Sequence, residues 1–202
     1  MKIKKKIPLV LILARKGSQR LKNKNIKIIN KKPLIYWTIE FAKKLNFKKK
    51  QIFVYSDSSK VINIANTNNV LSPNIRPNYL SRSKTSSYKS AKHAIDWYQK
   101  NISKPNYIIL FQPTSPFRKV STYKKMYNLF IKKNLDSIAS FSKKNNKLVS
   151  NGNIYINKLE NLYKLKSFIN KKTTKFITKS KKEMIDIDNI DDFNKAKKYF
   201  KK

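Results

Sequence analysis

The chain of 202 residues has no cysteine, one histidine, two glycines and only ten acidic residues. Without cysteine there can be no disulfide, no thiolate zinc site and no cysteine nucleophile, a composition that fits a cytoplasmic protein. Glycine is confined to Gly17 and Gly152. In so glycine-poor a chain each is expected where the backbone must approach a neighbour closely or take a positive φ. His93 falls inside a predicted helix beside Lys92 and reads as a packing or surface residue, not a general base. Long apolar runs are also missing. The longest, Ile7–Ala14, is far too short for a spanning helix, and the basic start MKIKKK is not followed by a signal-peptide pattern, so no membrane insertion is expected.

What the chain has in abundance is positive charge, a formal +38. Lysine supplies 43 of the 48 basic residues, spread over the whole length, and the five arginines are Arg15, Arg20, Arg76, Arg82 and Arg118. Surfaces that read nucleic acid favour the planar fork of arginine gathered into a stripe. The lysines, together with abundant Asn and Ile, are instead what an A/T-rich coding sequence gives. They read as a solvated surface that attracts polyanions without specificity, and no specific nucleic acid is expected as a partner. The hydrophobic fraction of 40% is enough to bury a core, and the length suits one domain over residues 1–202.

Strand and helix signals alternate. Ile7–Leu13, Gln51–Tyr55 and Tyr107–Phe111 are continuous apolar runs typical of strands buried on both faces. Helical periodicity separates and follows them: from Pro33 to Leu45, after Asp57 or Ser58, from Ser86 or Ser87 to about Lys100, and over Val120–Lys133. Ser137–Phe141 and Asn153–Ile156 read as further strands, Leu159–Leu165 as a short helix, Lys175–Thr178 as extended and Met184–Asp188 as an alternating strand. Ile190–Phe200 reads as a closing helix whose end from Lys195 frays. The order defines an α/β fold: a mostly parallel sheet in a single domain, with helices on both faces.

Ligands in such folds sit at the carboxyl ends of the strands. The loop after the first strand, ARKGSQRLKNKN, has neither P-loop nor dinucleotide spacing. It does hold Gly17 for close backbone approach, Arg15, Arg20 and Lys24 for charge, and Ser18 and Asn25 for neutral hydrogen bonds, which could grip a polyphosphate or simply form a basic surface loop. Four of the seven aspartates lie in IDIDNIDDF. In a strand Asp186 and Asp188 would share a face, with Ile185 and Ile187 packed behind them. Two adjacent carboxylates call for a cation, and an oxygen site of this kind suits Mg²⁺. Asp191 and Asp192 fall in the first turn of the last helix, where they complement its dipole.

Six segments taken in order resemble the CMP-N-acetylneuraminate synthetase (acylneuraminate cytidylyltransferase) family: LARKGSQRLKNKN, VYSDS, RP with TSS, LFQPTSPFR, NGNIYI and IDIDNIDDF. The resemblance implies a Rossmann-like nucleotidyltransferase domain that moves CMP from CTP to an acidic sugar, such as sialic or legionaminic acid, for surface polysaccharide or lipopolysaccharide synthesis. It implies nucleotide or substrate contacts at Ala14, Arg15, Ser18, Lys24, Asn25, Arg76, Thr85, Ser87 and Gln112. It also implies Mg²⁺ on Asp186 and Asp188, and catalytic roles for Arg15, Lys24 and Asp188. In the family a long segment before NGxIYI contacts the sugar and reaches across to a partner subunit. Here only Ser142–Ser150 stands in that place and no arginine follows Arg118. A monomer or weak dimer is therefore expected, with a nucleotide-binding protein that does not turn over, or a basic nucleic-acid binder, as the alternatives.

Overall fold

The computed structural model describes residues 7–144 and 146–201. A six-stranded sheet is built from β1 (Pro8–Leu13), β4 (Ile52–Tyr55), β5 (Tyr107–Leu110), β6 (Ser137–Lys144), β7 (Lys147–Lys158) and β8 (Thr174–Ile177), in the spatial order β4-β1-β5-β7-β6-β8. β2 (Ile28–Ile29) and β3 (Lys32–Pro33) form a separate small hairpin. β4 and β5 pair in parallel with β1, and β8 with β6. β7 alone runs against its neighbours.

Alternate residues of each strand feed two cores. Val10, Ile12, Val54 and Ile109 pack with α1 (Leu34–Lys43), α2 (Ser59–Thr67) and α4 (Val120–Lys132) on one face. Leu9, Leu11, Phe53 and Leu110 pack with α3 (Ser87–Asn101) and α5 (Leu159–Leu165) on the other. The continuous apolar runs of β1 and β5 are thus explained by burial from both sides. α6 (Ile190–Phe200) lies apart, closing a third cluster through Phe193 and Ala196 against Leu21, Leu34, Ile185 and Ile187.

Two local rules of the sequence hold. Ser58 and Ser86 cap α2 and α3, accepting hydrogen bonds from Val61 N and Lys89 N. Glycine's usual left-handed positions are taken by asparagine. Among the described residues, six of the eight non-glycine residues with positive φ are Asn, and Asn46, Asn69 and Asn134 lie just beyond the ends of α1, α2 and α4.

Three expectations are corrected. Ser142–Ser150 is not a bare connection: the strands extend into it as a β-hairpin, pairing Ser142 with Val149, Lys143 with Leu148 and Lys144 with Lys147. Its lysine-rich sequence carries no apolar alternation, so the pairing partner makes the strand. Met184 belongs to a turn and Ile185–Asp188 joins no sheet, because no neighbouring strand pairs with it; Ile187 N bonds instead to Thr114 O at 2.8 Å. The last helix does not fray at Lys195. Phe200 packs on Phe117 and Trp37, with ring centroids 4.6 and 4.7 Å apart, which secures the helix to its end.

Candidate functional site

At the carboxyl ends of β1 and β5 a cleft of about 590 Å³ opens between the first loop and the strand termini. It is lined by Arg15, Ser18, Lys24 and Asn25 from the loop, Thr85 and Ser87 at the start of α3, Gln112 beyond β5, and Asp186 and Asp188 opposite. Residues scattered over most of the chain meet here because parallel strands deliver their following loops to one end of the sheet.

The first loop is fixed by its own polar groups. Asn25 Nδ2 donates to Arg15 O at 2.9 Å, and Lys16 N donates to Asp57 Oδ1 at 2.7 Å. Asp57 therefore pins this loop, while Ser58 does the helix capping. Arg15 reaches Ser81 O. Gly17 does not have a positive φ, and a Cβ built on it would meet nothing closer than Ser81 O at 4.0 Å, so open space surrounds the loop at this point.

The acidic segment is docked just as deliberately. The Glu183 side chain is buried at the start of α4, accepting from Lys119 N and Thr122 Oγ1, where its charge complements the helix dipole. Ile185 and Ile187 are buried and turn Asp186 and Asp188 toward the cleft, the alternation expected of a strand without the strand. Asp188 is bracketed by two cations, Lys24 Nζ at 3.0 Å and Arg20 Nη2 at 2.9 Å, and Lys24 also donates to Ile187 O. Arg20 is largely exposed and its bond is readily exchanged. Burial raises the carboxyl pKa of Asp186, opposed by a Thr114 hydrogen bond and added to by the nearby Asp188 charge. One Asp186 oxygen, Oδ1, is buried with no hydrogen-bond partner. Asp191 and Asp192 stay with the helix: Asp192 accepts from Asp188 N and Asn189 N, and Asn189 caps in return.

Two of the anticipated residues lie off the cleft wall. Ala14 is fully buried at the end of β1, giving its N–H to Tyr55 O and accepting from Ser56 Oγ. The Arg76 side chain turns inward to Tyr55 O, Leu80 O and Ser90 Oγ, its guanidinium 5.1 Å from the Tyr55 ring centre, and so braces the loop that carries Thr85.

A second feature went unread in the sequence: NGN is a bulge. Opposite Ser140 alone, β7 inserts Asn151–Ile154 between the paired residues Ser150 and Tyr155. Gly152, at φ +72°, sits at its crest. A Cβ there would lie 2.6 Å from Gln112 Oε1, 2.9 Å from Ser115 Oγ and 3.4 Å from Asp186 Oδ2. The scarce glycine is thus kept where both conformation and space demand it. Ser140 fills the gap beneath, donating to Asn151 Oδ1 at 2.6 Å and accepting from Ile154 N at 3.0 Å. The one sequence signal was the glycine itself.

The doubly covered sheet thus carries a basic loop and a carboxylate pair around one cleft at its carboxyl edge. A family model described as "Cytidylyltransferase" matches residues 9–198, and the chain belongs to that family. It is 33% identical over 136 residues to an N-acylneuraminate cytidylyltransferase of Streptococcus agalactiae serotype V, a match covering 67% of this chain and 32% of the relative. The chain thus spans about a third of the length of the curated relatives it matches. Among solved structures, a cytidylyltransferase from Leptospira borgpetersenii serovar Hardjo-bovis superposes with a TM-score of 0.69 at 19% identity, covering 96% of this chain and 86% of that one. A CMP:2-keto-3-deoxy-manno-octonic acid synthetase complexed with CTP also reaches 0.69 at 14% identity, covering 96% and 98%. These two likenesses concern the fold.

Proposed function

We propose that this chain transfers CMP from CTP to an acidic sugar of the nine-carbon type, with release of pyrophosphate. The observation that carries the reading is the convergence of Arg15, Ser18, Lys24 and Asn25 with Asp186 and Asp188 around one cleft. The sugar hydroxyl oxygen forms a bond to the α-phosphorus, the bond from that phosphorus to the bridging oxygen breaks in line, and pyrophosphate leaves as the hydroxyl gives up its proton. Arg15, Lys24 and Ser18 hold the phosphates, and Asn25 keeps the loop in shape by bonding Arg15 O. Lys24 and Arg20 trade Asp188 for phosphate oxygens when nucleotide enters. Gln112, which also faces a depression walled by Tyr155, Phe168 and Lys166, stands on the acceptor's side.

The residues present suit a divalent cation. Asp186 Oδ1 is a buried acceptor without a partner beside a second carboxylate, and Mg²⁺ commonly takes one or two carboxylates with substrate phosphates completing its shell. Asp186 and Asp188 would hold it, and when bound it neutralises charge on the phosphates. The reading places the chain among soluble biosynthetic enzymes of the cytoplasm. As structure, no helix among the described residues is long and apolar enough to cross a membrane.

Calorimetric titration of CTP, ATP and GTP with and without Mg²⁺, followed by pyrophosphate release over a panel of sugar acids, tests the reading. CTP is expected to bind best, and more tightly with Mg²⁺. Equal affinity for all three points to unspecific attraction by the lysine surface, and binding without pyrophosphate release points to a nucleotide-binding protein that does not turn over. The short hairpin supports a monomer or weak dimer, since a stable dimer buries roughly 800 Å² per partner. Light scattering at moderate salt measures this.

A further inference from the structure

Arg118 is one of five arginines, and its guanidinium is buried although no carboxylate among the described residues lies within ion-pair distance of it. A buried cation without a paired anion is costly. This one spends its donors on three backbone carbonyls and one hydroxyl. Nη2 donates to Gln112 O, Nη1 to Ser115 O and to Thr38 Oγ1 at 3.1 Å, and Nε to Asn153 O at 2.7 Å. The Phe111 and Phe41 rings lie 5.3 and 5.9 Å from the guanidinium carbon and confine it. One planar fork therefore ties together α1, the turn after β5 and the β7 bulge.

The tied pieces are those that crowd the carboxylate pair. The turn presents Gln112 and Ser115, the bulge presents Gly152, and a Cβ at Gly152 would fall 2.6 and 2.9 Å from the Gln112 and Ser115 side chains and 3.4 Å from Asp186 Oδ2. Ser115 Oγ makes a second tie, donating to Asn151 O at 3.1 Å. We infer that Arg118 is a positioning residue: it touches neither nucleotide nor acceptor, and acts by holding the Gln112 turn and the Gly152 bulge in register with Asp186. Lysine could keep the charge but not the fork, whose separate N–H groups meet carbonyls of two different segments.

The turnover part of this inference rests on the proposed reaction, while the binding part does not. Arg118→Met, Arg118→Lys and Thr38→Val are compared with the wild type by thermal melting, by CTP titration with and without Mg²⁺, and by steady-state kinetics. For folded Arg118→Met, CTP affinity without metal stays within about threefold of wild type, whereas the gain in affinity from Mg²⁺ falls by about tenfold or more. kcat falls by about 100-fold with the KM for CTP little changed, the scale of a small misplacement of reacting groups. Arg118→Lys recovers part of this, and Thr38→Val shows the same pattern more weakly. A folded Arg118 variant that melts earlier yet keeps the full Mg²⁺ gain and kcat overturns the inference. Should both Arg118 variants fail to fold, an unaltered Mg²⁺ gain in Thr38→Val overturns it instead. Wild-type CTP affinity indifferent to Mg²⁺ also overturns it, whereas binding with a Mg²⁺ gain but no pyrophosphate release overturns only the proposed reaction.

Discussion

Around β4, β1 and β5 the buried strand positions are aliphatic or aromatic on both faces, from Leu9 to Ile12, Ile52 to Tyr55 and Ile108 to Phe111. At the cleft end of β6 and β7 and just beyond β8, the buried polar residues Ser140, Ser142, Asn151, Asn153 and Thr178 stand among the apolar Phe141, Ile154 and Tyr155. The first region is held by apolar burial, worth roughly 25 cal/mol per Å² and indifferent to direction. The second is held by directed hydrogen bonds: Asn151 Nδ2 reaches Ser142 Oγ and Thr178 Oγ1 at 2.8 and 2.9 Å, and Asn153 Nδ2 reaches Glu183 O. A non-directional core tolerates small shifts of register. A network of directed hydrogen bonds does not, and the bulge that meets Asp186 needs one register only. The site therefore joins a strong, tolerant half to a half whose geometry depends on individual side chains.

The sharpest test of this division is at the carboxylates. Asp188→Asn is expected to cut turnover by about two to three orders of magnitude, the scale of losing a major charge-stabilising group. Pyrophosphate release at saturating CTP measures it, and a loss of less than tenfold would remove Asp188 from the machinery. In the polar half, Asn151→Ala should destabilise by about 1–3 kcal/mol, since it strands buried hydroxyls that lose their partner. Urea unfolding gives the value, and a change near zero would mean the network is not what holds the bulge. Gly152→Ala should cost about 1–2 kcal/mol through its left-handed φ, and should also lower turnover by pressing on Gln112 and Ser115. Unchanged kinetics there would show that the bulge does not govern the cleft. Asp191→Asn is the small control: about 0.3–1 kcal/mol of lost dipole interaction, seen in thermal melting, with turnover nearly unchanged. If it harmed turnover more than Asp188→Asn, the separation of the aspartates into cleft and helix roles would collapse.

Much of the site was legible because its parts carry local signals. ARKGSQR follows a doubly buried strand, Gln112 precedes a proline at a strand end, and IDID alternates. What could not be read was direction. Arg76 stands in a distinctive RP context, yet its side chain turns to backbone carbonyls and not to the cleft. Arg118 ends the LFQPTSPFR segment with no role readable from it, and its burial depends on Thr38, Gln112 and Asn153 arriving from other elements. Glu183 gave no motif at all, because its partner is a helix start some sixty residues earlier in the chain.

By itself the sequence determined the α/β order and the helices with the serine caps of α2 and α3. These follow from periodicity and from backbone chemistry within a few residues. Only the tertiary structure decided that Ser142–Ser150 pairs as a hairpin, that NGN becomes a bulge opposite Ser140, and that IDID stays outside the sheet. Strand pairing, bulge placement and the destination of a long side chain are set by partners distant in sequence. Their free energy exists only once those partners have been brought together.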